Sequence, residues 1–213
     1  MIKKKTIRKR IFVFILAVLI LAIIFGATYC VNFISGLVRE RAVVGKLKDI
    51  SSPEWIDVQL IGEDSGGRTG RQLLALKNIV IHYVGNPSTS AQANHDYFDK
   101  SSTKVSSHFI VGLDGEIIQC LPLCEQSAAS NWRNKDTISI EICHPDESGK
   151  FNDKTYESVV KLTAWLCHEF YLDSSDVIRH HDVTGKLCPL YYVEHEDAFE
   201  VLREDIGRKI DEF

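Results

Sequence analysis

The chain has 213 residues, enough for one domain of ordinary size plus an appendage. Its formal net charge of −4 hides an asymmetry: the first fifty residues carry ten Lys and Arg against two Asp and Glu, and the remainder carries 15 against 27, a net of −12. So acidic a main part lacks the basic patch that phosphate backbones require, which argues against nucleic acid as a partner.

In chain order the first element is a membrane segment. Ile11 to Phe25 is unbroken apolar, and no charge falls between Arg10 and Arg39. That is length enough for one helix to cross a hydrocarbon core of ~20 residues. Lys3, Lys4, Lys5, Arg8, Lys9 and Arg10 precede it, and such a cluster stays on the cytoplasmic side. The expectation is a basic cytoplasmic tail over 1–10, a single-pass anchor over 11–34 and a linker over 35–54, followed by an extracellular domain over 55–213. A retained anchor is favoured over a cleaved signal peptide because the apolar run exceeds the usual ~7–15 residues and no A-x-A site follows.

Beyond the linker, Gly62 to Gly70 is glycine-rich but lacks the order of a phosphate loop. Four segments then read as strands: Asn78–Val84, Ser107–Leu113, Glu116–Cys120 and Thr137–Cys143, each short, rich in β-branched residues and bounded by turn formers. Asp114-Gly115 makes a hairpin turn between the second and third. A short helix is expected from Ala91 to Asp99. A longer one is expected with Asp153 as its cap and an apolar stripe of Tyr156, Val159, Val160, Thr163, Leu166, Cys167 and Phe170. Phe199, Leu202, Ile206 and Ile210 mark a closing helix. Strands interleaved with helices, one hairpin included, indicate an α/β fold with a central mixed sheet flanked by helices.

Cysteine usage gives no readable disulfide framework. Cys30 belongs to the apolar segment, and Cys120, Cys124, Cys143, Cys167 and Cys188 are an odd number. Cys120 and Cys124 are either a local bridge or two free thiols.

Three positions carry metal-binding chemistry. His82 lies in an apolar strand on the face of Val80 and Val84, where a lone histidine more often simply packs. The segment Arg179 to Pro189 is more specific, since it holds His180, His181, Asp182, Lys186 and Cys188 within 11 residues. Imidazole and thiolate are good zinc donors, and three protein ligands leave a fourth position for water. Seen alone, the segment is equally a surface loop with a free cysteine.

Four stretches together resemble the zinc amidases related to phage T7 lysozyme, bacterial N-acetylmuramoyl-L-alanine amidases and peptidoglycan recognition proteins. They are IVIHYVGNPSTSAQANHDYF at 79–98, SSHFIVGLDGEIIQC at 106–120, TISIEIC at 137–143 and VIRHHDVTGKLCP at 177–189. The resemblance implies a Zn2+ site made by His82, His180 and Cys188. It also implies catalytic roles for Glu141, as the base that activates water, and for Lys186, which with the ion stabilises the oxyanion. Ser107 stands where some members have a tyrosine, so the glutamate branch of the family is the better analogue. His108 is expected to line the cleft, support a ligand or simply pack, and Asn131, Trp132 and Arg133 either to bind sugar hydroxyls or stem-peptide carboxylates or to form a loop whose Trp132 packs inward. His95, His144, His168 and His195 have no motif support and are expected to be structural or exposed. The implied activity is hydrolysis of the bond between N-acetylmuramic acid and L-alanine in peptidoglycan. The alternatives are a non-catalytic wall-binding module of the same fold and a zinc peptidase acting within the stem peptide.

Overall fold

The computed structural model describes residues 2–213, and for residues 2–13, 16, 17, 32, 37 and 39–41 it describes the backbone alone. The basic side chains expected on the cytoplasmic side therefore lie outside the described residues. Two compact units divide the chain at Ala42 and Val43. The first is helical from Ile2, as part of α1 (Ile2–Asp49), and its window Val18–Gly36, with mean hydropathy 2.2, is long and apolar enough to cross a membrane.

The second unit is built on a six-stranded sheet. In chain order its elements are β1 (Asp57–Val58), β2 (Asn78–Ile81), α2 (Ala91–Phe98), β3 (Phe109–Val111), β4 (Ile117–Gln119), β5 (Thr137–Ile142), α3 (Asp153–Phe170), β6 (Val177–Arg179), α4 (His180–Thr184), α5 (Leu190–Glu194) and α6 (Glu196–Ile210). The strand order is β1-β4-β3-β5-β2-β6. Only β3 with β4 runs antiparallel, across the Asp114-Gly115 turn, so the sheet is mixed as expected. The four expected strands are present in shortened form. β1 and β6 escape periodicity because two or three residues cannot display it.

Alternation along the strands sends side chains to two different layers. Ile79, Ile81, Ile138, Ile140, Ile142, Phe109 and Val111 join Val159, Leu162, Leu166, Phe170, Phe199, Leu202 and Ile206 in the main core, which α3 and α6 cover. Ile110, Ile118, Cys120 and Cys143 face the other way, toward Ala91 and Phe98 of α2. α3 is capped one residue earlier than expected: the Asn152 side chain accepts from the Thr155 N–H, and Asp153 is the first helical residue, where its charge complements the helix dipole. All six cysteines are free thiols, so Cys120 and Cys124 form no bridge.

The stretch expected as a linker departs most from the sequence reading. Residues up to Asp49 are helical, and Val43 and Leu47 are buried in the main core at 4 % and 2 % exposure. Their i, i+4 spacing puts both on one face, and charged neighbours mask that pair in the sequence. Lys46 locks the turn from outside, with its Nζ 2.6 Å from Glu169 Oε2 and 2.8 Å from the Glu169 carbonyl. Replacing Leu47 by Ala in the full-length chain should therefore cost about 2–5 kcal/mol, read as a lower urea midpoint at unchanged slope. A neutral outcome would return residues 43–49 to the status of a spacer.

Candidate metal centre and cleft

Parallel pairing brings the chemical residues together. Ile81 is in register with Arg179 on β6 and with Ile140 on β5. The next row across the sheet is therefore Glu141, His82 and His180, on adjacent strand paths separated by ~4.8 Å. The ladder continues into this row, since the His82 N–H donates to the Ile140 carbonyl at 2.9 Å. Being one step past Ile81 and Ile140, which enter the main core, the row faces the α2 side. It lies at the carboxyl ends of β2 and β6, the usual location of ligand sites in parallel sheets.

The third group arrives by a reversal of the chain. α4 ends at Gly185, whose φ of +77° is a left-handed conformation that favours glycine, and its N–H donates to the His181 carbonyl at 2.7 Å. The segment then folds back so that the His181 N–H donates to the Cys188 carbonyl at 2.9 Å. One donor atom each from His82, His180 and Cys188 then lies within 4.8 Å of the others, and all three residues are buried. The imidazole centroids of His82 and His180 are 4.6 Å apart.

His82 presents Nδ1 to this cluster, 3.9 Å from Cys188 Sγ, while its Nε2 lies 3.1 Å from Ser130 Oγ. Glu141 Oε1 is also 3.9 Å from Nδ1. That contact is no ion pair, because burial, then the charges of His180 and Lys186, hold His82 well below the usual imidazole range. His180 is lowered by burial and Lys186 as well. Burial pushes the Cys188 thiol up to about 12, with the Glu141 charge adding to it. Glu141 rises to about 8, mainly through burial, with Lys186 pulling the other way.

These groups fit a cation. Both ring nitrogens of His180 and Oε2 of Glu141 are buried without a hydrogen-bond partner among the described residues. Orphans of that kind cost roughly 1–3 kcal/mol each, and a cation held by one His180 nitrogen would give that atom a partner. Two nitrogens and a sulfur meeting there are the donor set of a transition-metal site with a coordination position to spare.

The site opens into a cleft of about 570 Å³, whose walls include Tyr83, Asn94, Tyr97 and Lys100 together with His82, His180, Glu141 and the exposed Lys186. Asn131 lines an adjoining depression that shares His180 and Lys186 with the cleft. Trp132 is 65 % exposed and lines neither.

Two expected substrate contacts are corrected. Arg133 is committed to the framework, with Nε 2.7 Å from Asp136 Oδ1 and its fork on Asn78 Oδ1 at 2.5 Å. His108 is fully buried behind the site: its Nε2 bonds the Glu125 carbonyl at 2.9 Å and its Nδ1 accepts from the Ser139 N–H at 3.1 Å. Register explains this, because His108 pairs with Ser139 one row below Glu141 on the same face. His95 is a packing residue as expected, with Nε2 on the Gln59 carbonyl at 2.8 Å.

Sequence reasoning missed two supports. Ser130 holds the far nitrogen of His82, and nothing in its neighbourhood of small residues signals that. Arg179 enters the sequence reading only as part of a polar run. It is 6 % exposed, forks onto Asp182 Oδ1 at 2.8 Å, Glu196 Oε2 at 2.8 Å and the Tyr192 carbonyl at 2.8 Å, and so fixes the turn from β6 into α4 that aims His180. An arginine beside a histidine pair is the only sequence trace of that role.

Burial lowers His108 from 6.5 to about 4 despite its bond to the Glu125 carbonyl. The unfolded chain takes up that proton first as the pH drops, so the neutral ring's contribution is complete above pH 6.5 and drains away toward about pH 4. The loss is on the order of 3 kcal/mol. A His108→Gln variant should accordingly show a flatter fall of urea midpoint between pH 6.5 and 4 than the parent; parallel curves would mean His108 does not titrate in this way.

Comparison with known proteins agrees with this architecture. N-acetylmuramoyl-L-alanine amidase BlyA of Bacillus subtilis (strain 168) is 29 % identical over 164 residues, covering 67 % of this chain and 44 % of the relative. N-acetylmuramoyl-L-alanine amidase CwlL of Bacillus licheniformis is 27 % identical over 156 residues, covering 65 % and 43 %. The chain thus spans less than half the length of these curated relatives. A mutant endolysin from Bacillus subtilis has a solved structure that superposes with a TM-score of 0.63 at 29 % identity, covering 71 % of this chain and 98 % of that one. A family model described as N-acetylmuramoyl-L-alanine amidase matches residues 72–190, which hold all three donors as well as Glu141 and Lys186, and the chain belongs to that family.

Proposed function

We propose that this chain is a zinc-dependent hydrolase that cuts the amide bond between N-acetylmuramic acid and the first L-alanine of the peptidoglycan stem peptide. The observation that carries the reading is the meeting of His82, His180 and Cys188 beside a buried carboxylate oxygen with no partner. Family membership and the printed names of BlyA and CwlL supply the bond to be cut.

Each residue has a role that follows from its place. His82, His180 and Cys188 would hold the ion. A zinc ion there would supply Lewis acidity to water and to the scissile carbonyl, and its charge would draw Glu141 back down from about 8 toward a proton-accepting state. Glu141, next to the donors in the same row, takes the proton of the attacking water and delivers it to the departing nitrogen. Lys186, on the exposed rim, places a positive charge where the carbonyl oxygen becomes negative. Tyr97 and Lys100 in the cleft wall offer an aromatic face and an ammonium to the substrate beyond the scissile bond. The apolar window Val18–Gly36 supports a single-pass anchor with the main unit outside the cell, where peptidoglycan is found.

Purified peptidoglycan incubated with the zinc-loaded full-length chain should release stem peptides with a free amino-terminal L-alanine and leave an intact lactyl carboxylate, as read by mass spectrometry. A chelator should stop the release, and Glu141→Gln should lower it by about 10²–10⁴-fold while zinc content stays at the parent level. New amino termini within the stem would identify a peptidase instead, and wall binding without release would identify a binding module.

A further inference from the structure

Behind His82 runs a chain of buried hydroxyls that the proposed hydrolysis leaves unexplained. Ser130 Oγ is 3.1 Å from His82 Nε2, Ser139 Oγ is 3.1 Å from Ser130 Oγ, and Ser127 Oγ is 3.0 Å from Ser139 Oγ. All three serines are buried, at 2 % exposure or less. Burying three hydroxyls gains nothing over alanine of nearly the same shape unless their hydrogen bonds serve a purpose.

The members of the chain are individually pinned. Asn134 Oδ1 accepts from the Ser130 N–H at 2.6 Å and the Ala129 N–H at 3.2 Å, which fixes the loop carrying Ser130. The Ser139 N–H donates to His108 Nδ1 at 3.1 Å, and His108 is in turn held by the Glu125 carbonyl. Ser139 is thus set in place by β5, and Ser130 by the loop before it.

A neutral imidazole carries one proton, and the two ways of placing it differ in consequence. With the proton on Nε2, His82 donates to Ser130, Ser130 to Ser139 and Ser139 to Ser127, and the Nδ1 lone pair faces Cys188 Sγ. With the hydroxyls turned the other way, Ser130 donates to Nε2 and the proton sits on Nδ1, where it points into the donor cluster and blocks it. Only the first polarity leaves a ligand.

We infer that Ser130, backed by Ser139 and Ser127, is a positioning residue that holds the His82 ring in the orientation that presents Nδ1 to a metal ion and accepts the hydrogen bond of the Nε2 proton when Nδ1 serves as the ligand. The inference rests on the metal-site reading proposed above, but it concerns binding of the ion and can be measured without substrate. It also gives Asn134 a task, since its side chain secures the loop that carries the serine.

The test is zinc affinity of the full-length chain by chelator competition, together with the absorption spectrum of the cobalt(II)-loaded form. Ser130→Ala should lose about 10–100-fold in zinc affinity, and its cobalt ligand-field bands should shift while the thiolate charge-transfer band from Cys188 persists. Ser139→Ala should show a smaller loss, because Ser130 still reaches Nε2. Metal-free Ser130→Ala should unfold in urea at a somewhat lower midpoint than the parent, because His82 Nε2 loses its hydroxyl partner, yet stay folded in the binding buffer. Parent-like zinc affinity in Ser130→Ala would overturn the inference, and so would a metal-free Ser130→Ala chain that is unfolded in the binding buffer. A parent chain that binds no zinc would sink both readings, whereas Ser130-dependent zinc binding without release of stem peptides would leave this one standing and remove the hydrolase.

Discussion

Everything at the site depends on the parallel register of three strands. Ile81 pairs with Ile140 on one side and with Arg179 on the other, so the residues one step further on, Glu141, His82 and His180, form a single transverse row. The row is made of backbone hydrogen bonds and a fixed strand spacing, not of attraction among its side chains. Two imidazoles and a carboxyl group would otherwise avoid a common dry corner: burial raises Glu141 and lowers both histidines. The cost of assembling them is met by the apolar face beneath, where Ile79, Ile81, Ile138, Ile140 and Ile142 pack under α3 and α6. Core and site are the two sides of the same strands.

That arrangement also explains what was legible in the sequence. The α/β class, the four principal strands, α2, α3, α6 and the hairpin at Asp114-Gly115 could be read because each has a local signature. The donor set could be read because four motifs together resemble a family, not because any spacing announced a metal. Strand order and register could not be read, since they arise from contacts between segments as far apart as β2 and β6. Without register, His82 is a histidine in an apolar run and Glu141 a polar residue at the end of another.

The failures share a physical cause as well. Val43 and Leu47 sit among charges in the sequence, because their burial depends on joining the main core, where Lys46 meets Glu169 of α3 more than a hundred residues away. Arg133 looked available to substrate because guanidinium groups often are, yet Asp136 and Asn78 had already engaged it. His108 is assigned to the cleft by the family resemblance, but the pairing that puts it opposite Ser139 also puts it beneath the floor. In each case the neighbours, and not the side chain's own chemistry, decide how it is used.

One consequence of the transverse row concerns which changes of length the chain can absorb. The turn around Ser148 lies outside the paired segments and can change length while the strands keep their alignment. A single residue inserted into β2, β5 or β6 ahead of the row is another matter, because it reverses the inward and outward sense of everything downstream in that strand. Such an insertion into β5 would turn Glu141 toward the isoleucines under α3 and bring an isoleucine to the mouth of the cleft, leaving composition, charge and motif content almost untouched.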